Sequence, residues 1–269
     1  MCAAVSYTLP MSSDGTALLE QLDQVLDPEL DESILQLGFV RALQVHEGHA
    51  SVEIQLPTSW CAVNFSYLMA DDVRRALLSV EGITQVTVRL GDHCAAAAIE
   101  AAVNAGRSFA TAFPGEASES LEALRLTFLR KGFLGRQERL LRDLRAAGYT
   151  PEAICALRLS DVLGAEGVCR LGSVPEGQDT DSSATTLQRY LTRRAALGLD
   201  CTPTALLLVD LDGQPLPVAR LQAYYHNART VRVAMEANGA FCRALLELRQ
   251  PQALESDRSR REGERNVHP

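Results

Sequence analysis

This sequence has almost no lysine: Lys131 is the only one, although arginine is abundant. A GC-rich bacterial coding sequence produces that bias, and it carries little chemical meaning. No uninterrupted apolar run approaches the roughly 18–20 residues that span a bilayer. The opening Met1-Cys2-Ala3-Ala4-Val5-Ser6 also lacks a basic region followed by an apolar one. The expected location is therefore the cytoplasm, with no membrane partner. Seven cysteines are present (Cys2, Cys61, Cys94, Cys155, Cys169, Cys201, Cys242), an odd number, and no two stand at CxxC spacing. They read as free thiols, which argues against a disulfide framework, a zinc ribbon or a cluster held by four thiolates of one chain. Any metal would need a partner chain or mixed ligands. There is no Gly-rich phosphate loop, no HExxH and no Ser-His-Asp order, so an ordinary hydrolase or NTPase has no support. Basic charge is also short: 34 acidic residues face 26 basic ones, for a net charge of −8. A phosphate backbone finds little to bind, and nucleic acid is not an expected partner.

The sequence does have enough apolar content, 46% over 269 residues, to fill the cores of two ordinary domains. After an N-terminal tail (1–15), Leu18, Leu19, Leu22 and Val25 recur at helical spacing until Asp27-Pro28-Glu29 stops them. Leu37-Gly38-Phe39-Val40 opens a hairpin that turns at Glu47-Gly48 and returns through alternating Ala50, Val52, Ile54 and Leu56. The loop Pro57-Thr58-Ser59-Trp60-Cys61 leads to a helix carrying Phe65, Leu68, Met69, Val73, Leu77 and Val80. Val86, Val88 and Leu90 then form a third strand. The order α-β-β-α-β predicts an α+β domain over 16–94, with a mixed three-stranded sheet packed against helices.

An Ala-rich helix from His93 to Val103 is expected to lead away through a connector (95–117). Beyond it lies a mostly α-helical domain (118–249) that contains one short apolar run, Ala205–Val209. Within that domain, residues 172–183 read as loop. Its arginine-rich stretch, from Arg125 through Arg130, Arg136, Arg139 and Arg142 to Arg145, reads as a solvated amphipathic face, with an acidic docking partner as the sharper option. Tail residues 250–269 carry four acids and four arginines and read as disordered.

Two features carry chemistry. Cys61 falls at or just before a helix N-terminus, where unpaired N–H groups and the helix dipole favour a thiolate. That makes it a candidate metal ligand or nucleophile. If the loop bearing Asp27 and Glu29 folds beside it, carboxylate oxygens and one soft sulfur would hold iron loosely, as a carrier must. The competing reading is a small buried cysteine and an aspartate that merely ends a helix. His93 and Cys94 follow the third strand as further candidate ligands, with the start of a helix as the structural alternative. A thiol enzyme with Cys61 as nucleophile and His93 as base is a third option. The remaining cysteines, Cys242 among them, read as packing residues without a role.

Asp27-Pro28-Glu29-Leu30, Leu37-Gly38-Phe39-Val40 and Thr58-Ser59-Trp60-Cys61 occur in this order on an α-β-β-α-β frame. The combination resembles the iron–sulfur assembly domain family that includes SufT and PaaD, over about residues 16–92. The loop differs from the family pattern in having no proline beside the cysteine, and the cysteine-rich extension of PaaD-like members is absent. The resemblance implies a non-enzymatic maturation factor. Cys61, Asp27, Glu29 and Thr58 would attend a transient iron or iron–sulfur cargo, and His93 and Cys94 would be additional metal ligands. It also implies a client metalloprotein, of which a bacterial dinuclear-iron monooxygenase of the alkane or propane hydroxylase type is one. A homodimer would let single thiols of two chains share a cluster. The alternative is a scaffold that stabilises an oxygenase complex without touching metal.

Overall fold

The computed structural model describes residues 6–8, 13–115, 121–163 and 183–249. Of the loop read over 172–183, all but Ser183, which opens a helix, lies outside them, as does the tail from Gln250. The described chain groups into two compact units. One comprises the residues up to Leu121 together with those from Asn238 onward, and the other is Glu122–Ala237.

The first unit contains the expected α-β-β-α-β order, as α1 (Ser13–Asp23), β2 (Val40–His46), β3 (His49–Gln55), α2 (Val63–Leu78) and β4 (Gln85–Gly91). A three-residue strand, β1 (Ser6–Thr8), precedes them. The sheet order is β1-β2-β3-β4, with β2 and β3 antiparallel and both outer pairings parallel. Strand β1 falls in the stretch read as a tail, because three residues are too short a run for alternation to show. The β2–β3 turn is tight: Glu47 and Gly48 both have positive φ (48° and 76°), the two-residue geometry that matches strand twist. Gly48 O accepts the Thr84 and Gln85 amides at 2.9 and 3.2 Å, and a Cβ on Gly48 would stand 2.8 Å from Gly82 O.

Alternation places Leu43, Val52, Ile54, Val88 and Leu90 on the covered face. There they meet Leu18 and Leu22 of α1 and Val73 and Leu77 of α2 in one core. Each such side chain contributes about 1.5–3 kcal/mol through burial. The stretch read as connector instead packs back: α3 (Ala96–Asn104) and α4 (Phe109–Ala112) bury Ile99, Ala102, Val103 and Phe109 in the same core. Strand β4 is a sheet edge, and α3 satisfies it. Asn104 accepts from Val88 N–H (2.8 Å) and donates to Val88 O (2.9 Å), while Glu100 accepts from Leu90 N–H at 2.7 Å. The edge is thereby covered against pairing with another chain.

The second unit is helical, as expected. It holds α5 (Leu121–Ala146) from Glu122 on, α6 (Pro151–Ala156), α7 (Leu159–Val162), α8 (Ser183–Ala196) and the part of α9 (Val218–Leu248) before Asn238. Thr150 caps α6, accepting from Ala153 N–H, with Pro151 in the first turn. Leu206 and Val209 take part only in isolated bridges, to Arg158 and Pro215, so the short apolar run builds no named strand. Its carbonyls bind buried polar groups instead: Gln137 donates to Val209 O (2.8 Å), Tyr190 to Leu207 O (2.7 Å) and Arg194 to Leu206 O (2.8 Å).

The arginine-rich stretch on α5 is only partly a solvated face: its arginines pair within the unit, some buried and some, such as Arg130, at the surface. Arg136 is buried, Arg139 pairs with Glu236 at 2.8 Å, and Arg130 pairs with Asp212 at 3.2 Å. Arg145 lies over the Tyr225 ring, 4.2 Å from its centroid. A buried Glu138 pairs with Arg232, so the acid partners come from residues distant in sequence, which helical periodicity cannot register. Among the described residues no helix is long and apolar enough to cross a membrane.

Candidate functional site

Helix α1 ends at Asp23, where the Gln24 and Val25 amides tighten its last turn onto Gln21 O and Leu22 O, and the Asp27 loop follows. The Asp27 carboxylate takes over locally: its Oδ1 accepts from Glu29 N–H (2.9 Å) and Leu30 N–H (2.8 Å). Two main-chain bonds of 2.9 Å close the loop, Asp27 N–H to Glu32 O and Asp31 N–H to Asp27 O, and Asp31 adopts φ +56°. Burial pushes the Asp27 carboxyl up to about 6, against the opposing effect of those two amides; the charges of Glu29 and Glu32 push it the same way as burial.

The second loop joins β3 to α2. Cys61 stands one residue before the helix cap, Ala62, which offers no side-chain bond to the first turn. Its Sγ lies 3.2 Å from Thr58 Oγ1, and the side chain is half-buried against the first core. Residues after β4 pin the loop backbone on both sides of Trp60. Cys94 N–H donates to Ser59 O at 2.7 Å, and His93 Nε2 donates to Cys61 O at 2.8 Å. The buried His93 ring accepts from Ala95 N–H at Nδ1 (3.1 Å), which puts the proton on Nε2; Ser66 Oγ lies 3.2 Å from the same Nε2. His93 thus holds the carbonyl of Cys61 rather than its sulfur, a geometry that gives a thiol enzyme no base. The Cys94 side chain is exposed, and its amide serves the loop. Trp60, pinned between these two bonds, is 77% exposed.

The end of α9 completes this face of the first unit. Asn238 donates to Glu29 Oε1 (3.3 Å), and Arg243 donates to Glu32 Oε2 (2.6 Å). Leu246 is buried in the first core, where a Cβ on Gly38 would lie 3.7 Å from its Cδ2. Arg249 donates to Leu56 O at 2.9 Å and Asp92 O at 3.0 Å, and pairs with the Asp92 carboxylate. Cys242 lies among these contacts. Burial pushes its thiol up to about 11, and the negative charges of Asp27, Cys61 and Glu29 push the same way, against the Arg243 guanidinium.

The charges of Asp27, Glu29 and Cys61, all named from sequence, thus each raise the Cys242 thiol. Sequence reasoning gave Cys242 no role, since nothing in the spacing shows that the end of α9 returns to the Asp27 loop. Among the described residues no three His, Cys, Asp or Glu side chains stand as a formed metal cage. The arrangement is an acidic, thiol-bearing face.

Residues 16–90 match the family described as iron-sulfur cluster assembly protein, in agreement with the resemblance carried by the Asp27, Gly38 and Cys61 motifs. The chain is also similar to an iron-sulfur cluster carrier protein of Deinococcus radiodurans, 35% identical over 75 residues. Those residues are 28% of this chain and 21% of that protein, so the chain spans about a fifth of the relative's length.

Proposed function

We propose that the first unit carries iron, or an iron–sulfur cluster, to a client protein and takes part in assembling the client's cofactor. The observation that supports this most is the coincidence of the family match over residues 16–90 with a fixed Cys61 inside it. Thr58 orients the sulfur, His93 and the Cys94 amide hold the loop, and the Asp27 loop supplies carboxylate nearby. A soft sulfur with hard oxygen neighbours is a compromise donor set, suited to cargo that must leave again. The work is delivery rather than turnover, and no group here needs to act as acid or base on a substrate.

The finer reading is a client of the dinuclear-iron monooxygenase type, reached in the cytoplasm. Two copies of the chain, each lending a thiol, are a route to clusters that take four thiolates. Coexpression tests the role. With Cys61→Ala, a dependent client should lose most of its iron and activity while its own expression is unchanged. Unaltered client iron would remove metal from the account and leave the scaffold reading.

A further inference from the structure

Hydrogen bonds tie the loop before α2 to the residues after β4 and to the end of α9. Arg249 donates to Leu56 O and Asp92 O, Cys94 N–H donates to Ser59 O, and His93 Nε2 donates to Cys61 O. The two most exposed large apolar side chains among the described residues belong to this small network: Trp60 (77%), between the last two bonds, and Leu248 (76%), immediately before Arg249. An indole held out into water on a backbone fixed from both sides is not a packing residue. It is preorganised for contact, because a side chain with two torsions on a fixed backbone has little entropy left to lose on binding.

Charge says what covers it. Residues 24–39, 56–62 and 91–95, the segments bonded by the end of α9 or by one another, contain Asp27, Glu29, Asp31, Glu32 and Asp92 but no lysine or arginine. The end of α9 supplies Arg243 and Arg249, and both are engaged, with Glu32 and Asp92. The whole first unit carries 21 acidic residues against 11 basic ones, whereas the second carries 13 against 15. The net negative charge is therefore concentrated on the unit that bears Trp60, which repels a phosphate backbone or an anionic lipid surface and attracts a cationic one.

We propose that Trp60 is the anchor by which the first unit docks a protein partner whose contact surface is basic, with arginine or lysine around an apolar pocket that receives the indole. An arginine guanidinium stacked on the indole face meets both requirements at once. That this partner is the client rests on the delivery role given above; docking through Trp60 then brings the client to the residue next to Cys61.

Calorimetric titration of the full chain without metal tests the anchor. The probe is a short capped peptide alternating arginine and leucine, with its glutamate–leucine counterpart alongside. Trp60→Ala should weaken binding of the arginine peptide about tenfold or more, and Trp60→Phe by less than about threefold. Leu126→Ala, which removes an exposed leucine of the second unit, should change nothing. Added salt should weaken binding as well. Equal affinities for the unaltered chain and Trp60→Ala, or no binding by any chain, overturn the anchor. Tighter binding of the glutamate peptide overturns the basic partner. Client iron with Cys61→Ala is a separate readout: if it stays unchanged while the titration succeeds, docking stands and delivery does not.

Discussion

Asp27 gives its Oδ1 to two backbone amides and still titrates near pH 6, because the cost of ionising it under burial exceeds what those bonds return. In the unfolded chain the same group titrates near 3.8. Between these values the native state binds more protons than the unfolded one, so this residue's contribution to stability falls as pH rises and is lost above about 6. Asp27→Asn keeps an oxygen for both amides and cannot ionise. It should stabilise the chain by about 1–3 kcal/mol at mildly alkaline pH and flatten the pH dependence across that window. Urea unfolding at a series of pH values reads both, and an unchanged slope would count against the burial argument.

At the scale of elements, the β2–β3 turn makes a claim that separates backbone strain from space. Gly48 and Gly82 both have positive φ, yet a Cβ meets Gly82 O at 2.8 Å in the first case and nothing within 4 Å in the second. Gly48→Ala should therefore cost about 2–3 kcal/mol and Gly82→Ala about 1 kcal/mol, compared by thermal unfolding. Equal losses would mean that φ alone decides. Such elements were legible in the sequence wherever burial on one face imposes a period. The alternation of Ala50, Val52, Ile54 and Leu56 and the spacing of α1 and α2 each follow from a single covered side. Three features were not. Ser6–Thr8 is too short to show a period, and the Ala-rich α3 was legible as a helix but not its return to the core, because its polar Glu100 and Asn104 bond strand β4. Leu246 looks like any other helical leucine until the core that receives it is known. At the site, sequence named Asp27 and Cys61 but not the end of α9, which bonds the loop that carries Asp27 through Glu29 and Glu32. It offered His93 as a ligand, whereas the ring serves Cys61 through a carbonyl.

On the whole-molecule scale, the helix that helps build the second unit also supplies the first with Asn238, Cys242, Arg243, Leu246 and Arg249. The ion pair of Arg243 with Glu32 is partly exposed and contributes at most about 1 kcal/mol. Losing Leu246 from the core costs about 2–5 kcal/mol, so the apolar contact dominates. A chain ended after Ala237 should unfold at a lower temperature, and its Cys61 should react faster with iodoacetamide than in the full chain. An unchanged Cys61 rate would mean that the helix end does not cover that sulfur.

The chain contains a single tryptophan, and it is Trp60, mostly in water and bonded directly to Cys61. All indole fluorescence from the protein therefore originates beside Cys61. The fold has in effect installed its own optical gauge there, reporting on one loop without an added dye.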